Sequence, residues 1–264
     1  MNATISIRLI IAVYKNTTFL KKVLDSVEQQ SYRNFKVSIV EDGNSEVMKN
    51  FIESTHYSFP IFHYTQEDIG FRKNKILNKA LRETTEDLCV FIDGDCILHA
   101  NFLRAYAKNY NPSKVLFGKR TDLDEVTSKY ILDTKTVVPP RLKMILNGSK
   151  RVEDSFEIKW FPSKQTITPY LLGCNMGIPL AILKKINGFD EDYELPGYGE
   201  DCDIEWRIRK AGYSFINLKF KAIQFHFYHE RPDREDQLQI SKKMYQQKMI
   251  KGEVFCKNGL LKSF

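Results

Sequence analysis

Leu88-Cys89-Val90-Phe91-Ile92-Asp93-Gly94-Asp95 carries an apolar run directly into two carboxylates separated by a single glycine. An unbroken apolar run bounded by turn residues is the pattern of a strand buried on both faces of a parallel sheet. The spacing predicts a strand over 88–92. Asp93 and Asp95 project from its end, where Gly94 lets backbone and ligand approach closely. The same punctuation recurs upstream. Ile7 to Val13 reads as a first strand, followed by Thr17-Thr18 placed to cap a helix whose apolar face is Leu20, Val23, Leu24 and Val27. Phe35 to Val40 is a second strand ending in Glu41-Asp42-Gly43, and Ile61 to Tyr64 is a third. Ile69 to Leu81 carries a helix with Ile76, Leu77 and Ala80 on one side. Alternating units of this kind require right-handed crossovers, hence an α/β fold: a mainly parallel, Rossmann-like sheet flanked by helices. Ligands of such sheets sit at the carboxyl ends of the strands, where the acidic clusters fall.

Downstream the pattern weakens. Between Pro112 and Thr168, Pro139-Pro140, Asn147-Gly148 and Trp160-Phe161-Pro162 predict irregular connections, the usual dress of a functional loop. Regularity returns with Tyr170 to Ile178, a helix near Leu180 to Ile186, and another from Asp201 that ends at Gly212; the polar stretch beyond Pro232 reads as a helical tail. A chain of 264 residues fits one core, since single cores stop growing at about 250 to 300 residues. The expected organisation is one domain over 1–232 and a helical tail over 233–264. Within the domain two parts are expected, about 1–120 with the regular strand–helix units and about 121–232 with the irregular connections.

Bulk properties narrow the classes. Apolar residues make up 42%, with 18 Phe and 13 Tyr, enough for a packed core and against disorder. Cys89, Cys96, Cys174, Cys202 and Cys256 form no C-x-x-C pair, and their odd number suits a reducing compartment. Met1-Asn2-Ala3-Thr4 lacks a basic leader, so the first apolar run reads as a strand rather than a signal peptide. A cytoplasmic location is expected. The net charge of +7 is scattered and does not form the basic stripe of a nucleic-acid module, so no nucleic-acid partner is expected; contact with the inner face of a membrane is an expectation if the acceptor is lipid-linked.

Several constellations carry chemistry. Hard divalent cations bridge strand-end carboxylates to substrate phosphates, which makes Asp93 and Asp95 candidates for a diphosphate clamp, although a bare D-x-D is more often an acidic turn. Asp42 is placed to accept from a base or ribose. Arg72, Lys73 and Lys75 at a helix start suit phosphates. Gly197-Tyr198-Gly199-Glu200-Asp201-Cys202-Asp203 opens a helix with more carboxylates than a cap requires, and one of them could take a proton from an acceptor hydroxyl. His226 and His229 flank Phe227-Tyr228 after the strand-like run Ile223 to Phe225. On a continuing strand their spacing puts them on opposite faces, so one metal ligand is expected from the two.

Four segments in order resemble glycosyltransferase family 2 with the GT-A fold over about residues 5–232. They are Ile10 to Asn16, Val40-Glu41-Asp42-Gly43-Asn44, Phe91 to Asp95, and Gly199-Glu200-Asp201-Cys202-Asp203-Ile204-Glu205-Trp206-Arg207. The last, with Gly188-Phe189-Asp190-Glu191, is similar to elements of the galactosyltransferase and chondroitin-polymerase-like branches. This resemblance implies an inverting hexosyl- or N-acetylhexosaminyltransferase that uses a nucleoside diphosphate sugar, UDP-linked, with Mn²⁺ or Mg²⁺, in glycan or polysaccharide biosynthesis. The acceptor is a saccharide or lipid-linked saccharide. It implies that Ala12, Val13 and Tyr14 line the nucleotide pocket, Asp42 holds the base, Asp93 faces the donor and Asp95 binds metal. Asp201 falls at the catalytic base, Glu200 at a sugar-binding carboxylate, Asn175 in the segment lining the donor sugar, and His229-Glu230-Arg231-Pro232 at a metal element in which His226 is the rival ligand. Two other readings share parts of the pattern. A sugar nucleotidyltransferase would need a glycine-rich loop where Ala12-Val13-Tyr14-Lys15-Asn16 stands; a non-catalytic carbohydrate-binding module would use the aromatic faces without turnover.

Overall fold

The computed structural model describes residues 4–167, 169–230 and 233–261. Thr168, Arg231 and Pro232, the residues through which two of the sequence boundaries were drawn, lie outside the described residues, as do 1–3 and 262–264.

The first half alternates strand and helix: β1 (Ile7–Val13), α1 (Thr17–Glu28), β2 (Phe35–Glu41), α2 (Glu46–Ser54), β3 (Ile61–Thr65), α3 (Lys73–Arg82) and β4 (Leu88–Asp93). The second half is made of shorter pieces: β5 (Cys96–Leu98), α4 (Phe102–Asn109), β6 (Lys114–Phe117), β7 (Thr121–Asp122), α5 (Glu125–Asp133), α6 (Arg141–Leu146), a 3-10 turn (Val152–Ser155) and β8 (Lys164–Thr166). There follow β9 (Met176–Pro179), α7 (Leu180–Lys185), α8 (Asp201–Lys210), β10 (Ser214–Asn217), β11 (Gln224–His226) and α9 (Glu235–Lys251).

The main sheet runs β3-β2-β1-β4-β9-β6-β10-β8. Its first four strands are mutually parallel, β9 is antiparallel to both of its neighbours, and β8 is antiparallel to β10. A small sheet, β5-β11-β7, stands beside it. Because strand side chains alternate, β1 feeds two cores. Ile7, Leu9 and Ile11 pack with Leu20, Val23, Leu24 and Val27 of α1. Ile10 packs on the other face with Ile76, Leu77 and Ala80 of α3 and Ile204 and Ile208 of α8. Arg8, a charge inside the first strand, is buried: its Nε donates to Glu86 Oε2 at 2.9 Å and its guanidinium lies over the Phe62 ring.

Several expectations are corrected. Asn16, not Thr17-Thr18, caps α1, with its Oδ1 accepting the Phe19 N–H at 2.9 Å. The third helix starts at Lys73 rather than Ile69, because Gly70 takes φ +65° and Arg72 has a non-helical backbone. Pro112 to Thr168 is not irregular throughout; its elements are too short for a periodic signal to build up. Conversely, only Met176–Pro179 of the segment after Tyr170 is a strand. The tail helix is docked on the domain: Lys248 Nζ bridges Asp190 Oδ2 and Asp192 Oδ2 at 2.5 and 2.6 Å, and Ser241 Oγ donates to the Pro196 carbonyl.

Candidate active site

The register of the sheet pairs Ala12 with Asp93 and Val13 with Glu41, so β1, β2 and β4 end at one edge. A cavity of about 1090 Å³ opens there. Ala12, Val13 and Tyr14 line it together with Asp42, Asp93, Gly94, Asp95, Glu200, His226 and His229. Gly94 is required by the crowding: an added Cβ would stand 2.7 Å from Val13 Cγ1 and 3.2 Å from the Ala12 carbonyl oxygen.

Asp42 is held rigidly. Its Oδ1 accepts from Gln66 Nε2 at 2.6 Å and its Oδ2 from the Arg72 N–H at 2.7 Å. A carboxylate offers about four acceptor directions, so it can still face a ligand.

Lys73 joins two acidic clusters that are far apart in sequence. Its Nζ donates to Asp93 Oδ1 at 2.7 Å and lies 2.8 Å from Glu200 Oε2. The second contact is an ion pair and not an aligned hydrogen bond, and among the described residues Glu200 Oε2 is buried without a hydrogen-bond partner. Burial would discharge the ammonium, but the charges of Asp93 and Glu200 outweigh it and hold the Lys73 pKa well above its ordinary value. Burial, with the nearby negative charge of Asp93 and Asp201, pushes the Glu200 carboxyl up against the pull of Lys73.

Asp95 meets both histidines. Its Oδ2 lies 3.4 Å from His226 Nε2 and 3.2 Å from His229 Nε2. The expectation that the two histidines face opposite ways is corrected, because β11 ends at His226 and strand alternation stops there. The Phe227 N–H is drawn to the Asp95 carbonyl, and the Tyr228 N–H donates to Ser128 Oγ, which turns the chain and returns His229 to the same carboxylate. Despite burial, the two imidazoles hold the Asp95 carboxyl far below the usual range. One ligand atom from each of the three residues lies within 4.8 Å of the others. One carboxylate oxygen and two imidazole nitrogens form a donor set that suits Mn²⁺ and related divalent ions, so the residues fit a metal. Of the His229-Glu230-Arg231-Pro232 element, the last two residues lie outside the described residues.

Other predicted residues lie elsewhere. Arg72 and Lys75 line a separate cleft of about 350 Å³ with Glu191, Asp192, Glu194 and Asn258. Lys73 is the basic residue of α3 that reaches the large cavity. Its signal was legible: it precedes Ile76 by three and Ala80 by seven, on the inward face of the helix. Asn175 does not line the large cavity. It is fully buried, its Oδ1 accepting from Tyr106 Oη at 2.6 Å and its Nδ2 donating to the Lys119 and Ala222 carbonyls. Asp201 begins α8 beside Glu200, its Oδ1 accepting the Cys202 N–H at 2.7 Å. Glu200, not Asp201, is the member of the pair that lines the cavity. Sequence reasoning missed Arg120, which lines the cavity and donates from Nη1 to Cys174 Sγ, and the residues Asp233, Arg234, Glu235 and Leu238 at the start of the tail.

Residues 9–186 match the family model described as glycosyl transferase family 2. The chain belongs to glycosyl transferase family 2. Residues 162–230 of this glycosyltransferase, which contain Glu200, Asp201, His226 and His229, also match the model of the N-terminal domain of galactosyltransferase. Among curated relatives, the chain is 24% identical over 230 residues to the amylovoran biosynthesis glycosyltransferase AmsB of Erwinia amylovora, covering 84% of this chain and 70% of the relative. It is 22% identical over 220 residues to validoxylamine A glucosyltransferase of Streptomyces hygroscopicus, covering 77% of this chain and 51% of the relative. The chain thus spans about half the length of the second protein. Its fold is that of GT-A glycosyltransferases. The mannosyltransferase PcManGT from Pyrobaculum calidifontis, solved with GDP-Man and Mn²⁺, superposes with a TM-score of 0.63 at 16% identity, over 95% of this chain and 65% of that one. TarS of S. aureus, solved with UDP-GlcNAc, superposes with a TM-score of 0.64 at 14% identity, over 93% and 66%.

Proposed function

We propose that this glycosyltransferase moves a hexose or N-acetylhexosamine from a nucleoside diphosphate sugar, UDP-linked, to an acceptor hydroxyl with inversion, using Mn²⁺ or Mg²⁺ held by Asp95, His226 and His229. The observation that carries the reading is the convergence of these three side chains on the cavity that also presents Asp42 and Glu200. The complexes of the structural neighbours with GDP-Man and Mn²⁺ and with UDP-GlcNAc support it. When bound, the divalent ion offsets negative charge growing on the diphosphate leaving group.

The chain's own residues supply the rest. Ala12, Val13 and Tyr14 form the wall against the base and ribose, and Asp42, pre-set by Gln66 and the Arg72 N–H, accepts from them. Lys73 and Arg120 bring positive charge to the cavity wall. Glu200, pinned by Lys73, is assigned to the donor sugar. Asp201 is assigned as general base: among the described residues it makes no ion pair, and one of its oxygens remains available after the Cys202 contact. It takes the acceptor proton as the hydroxyl attacks the anomeric carbon opposite the leaving group, which inverts the centre. The nucleotide half is about 1–120 and the acceptor half about 121–232, with a saccharide or lipid-linked saccharide as acceptor in glycan or polysaccharide synthesis.

The test is release of nucleoside diphosphate from a panel of nucleotide sugars with Mn²⁺ present. Turnover of at least one donor, greatest with UDP sugars, is expected. The reading fails if no donor is turned over and no nucleotide shifts the thermal melt.

A further inference from the structure

Helix α6 and its flanks present a surface that the transfer chemistry does not use. Leu142, Ile145 and Leu146 are 68%, 59% and 74% exposed, and their i, i+3, i+4 spacing sets them on one face of the helix. The opposite side is anchored, with Met144 fully buried. Val138, just before the helix, is also exposed.

The segment that carries this face is charged with one sign. Between Asp133 and Glu153 the chain carries Lys135, Arg141, Lys143, Lys150 and Arg151 and no carboxylate. Arg151 pairs with Asp122; among the described residues Lys135, Arg141, Lys143 and Lys150 enter no ion pair. Arg141 and Lys143 are positioned by their stems, Arg141 over the Phe156 ring at 4.6 Å and Lys143 over the Tyr130 ring at 4.5 Å.

We infer that this face is a docking surface for an anionic lipid bilayer. Aliphatic side chains on a helix that lies along the surface enter the headgroup boundary, while surrounding Lys and Arg meet acidic headgroups. A protein partner fits less well: interface centres are rich in Trp, Tyr and Arg and poor in Lys, whereas the exposed apolar residues of α6 itself are all aliphatic, and the partly exposed Phe156 ring beside them lies under Arg141. The surface is also coupled to the catalytic cavity. Helix α6 packs on the 3-10 turn at Val152–Ser155, that turn packs on β7, and Asp122 of β7 binds both Arg151 beside the patch and Arg120 in the cavity wall.

The test is cosedimentation of the full chain with phosphatidylglycerol-rich vesicles and with pure phosphatidylcholine vesicles at low salt. The wild type is expected to bind the anionic vesicles, to ignore the neutral ones and to be released by added salt. Combining Arg141→Gln, Lys143→Gln and Lys150→Gln should weaken binding by roughly a hundredfold, and combining Leu142→Ser, Ile145→Ser and Leu146→Ser by at least about tenfold. All six positions lie away from the cavity, and unchanged thermal melts confirm that the variants fold. Equal sedimentation of all three proteins, or equal binding to both kinds of vesicle, overturns the inference. So does a wild type that stays in the supernatant as a dimer which the serine variant disperses; the face would then join two copies of the chain.

Discussion

Lys73 Nζ lies 2.8 Å from Glu200 Oε2, tying the start of α3 to the start of α8 across the cavity mouth. With Asp93 on its other side, the ammonium is what allows two carboxylates to share this space. Lys73→Met keeps the length of the side chain and removes the charge. Breaking a mostly buried pair leaves uncompensated charge, so stability should drop by about 2–4 kcal/mol, read as a lower urea midpoint at neutral pH. A variant as stable as the wild type would mean that solvent, not Lys73, neutralises the site.

Glu200 and Asp201 are neighbours to which the proposed reaction gives different tasks. Asp201→Asn should leave donor affinity intact while transfer falls by on the order of a hundredfold. Glu200→Gln should raise the donor KM as well, because it loses both a polar contact and the partner of Lys73. Near-normal turnover in Asp201→Asn would move the proton-accepting role to Glu200, which lines the cavity.

Gly94 sits where strand β4 meets the backbone of β1. Gly94→Ala puts a methyl carbon 2.7 Å from Val13 Cγ1, and Val13, stiff at its branched β-carbon, cannot turn aside. Overpacking of this kind costs about 1–3 kcal/mol. Since Val13 lines the cavity proposed to hold the nucleotide, weaker donor binding should accompany the lower melt; a loss of stability with an unchanged donor KM would separate Gly94 from the pocket.

Glu86 makes folding sensitive to acid. Burial alone would raise its pKa, but hydrogen bonds from Arg8 and Lys36 outweigh that and lower it from 4.5 to about 2. A depressed folded-state pKa stabilises the fold above the unfolded value, and that stabilisation is lost as pH falls from about 4.5 toward 2. The loss should be on the order of 2 kcal/mol. Urea unfolding across this range should show it in the wild type, with a flatter profile in Glu86→Gln; parallel profiles would assign the acid sensitivity to other carboxylates.

The parts legible in the sequence were those buried on both faces. β4 reads as a continuous apolar run, β1 as one broken only by Arg8, and β2 as apolar positions around Lys36 and Ser38; the carboxylates at their ends, Asp42, Asp93 and Asp95, line one cavity at the sheet edge. What escaped depended on tertiary context. The convergence of His226 and His229 rests on hydrogen bonds to Asp95 and Ser128 that end a strand early. Asn175 looked available because nothing near it in sequence shows that Tyr106 and Gly118 close around it; a Cβ on Gly118 would meet its Nδ2 at 2.4 Å. β7 and α6 are too short for any period to be seen, and the wall that the tail builds over the cavity comes from residues with no distinctive pattern.

The most direct test of the account is Mn²⁺-dependent release of nucleoside diphosphate from the preferred donor, measured for the wild type, Asp95→Ala, and His226→Ala combined with His229→Ala, before and after chelation. The wild type should lose activity on chelation and recover it with added Mn²⁺. Both variants should stay at least about a hundredfold below it at any Mn²⁺ concentration. Wild-type turnover that survives the chelator, or an Asp95→Ala enzyme that responds normally to Mn²⁺, would contradict the assignment of this cluster as the metal site.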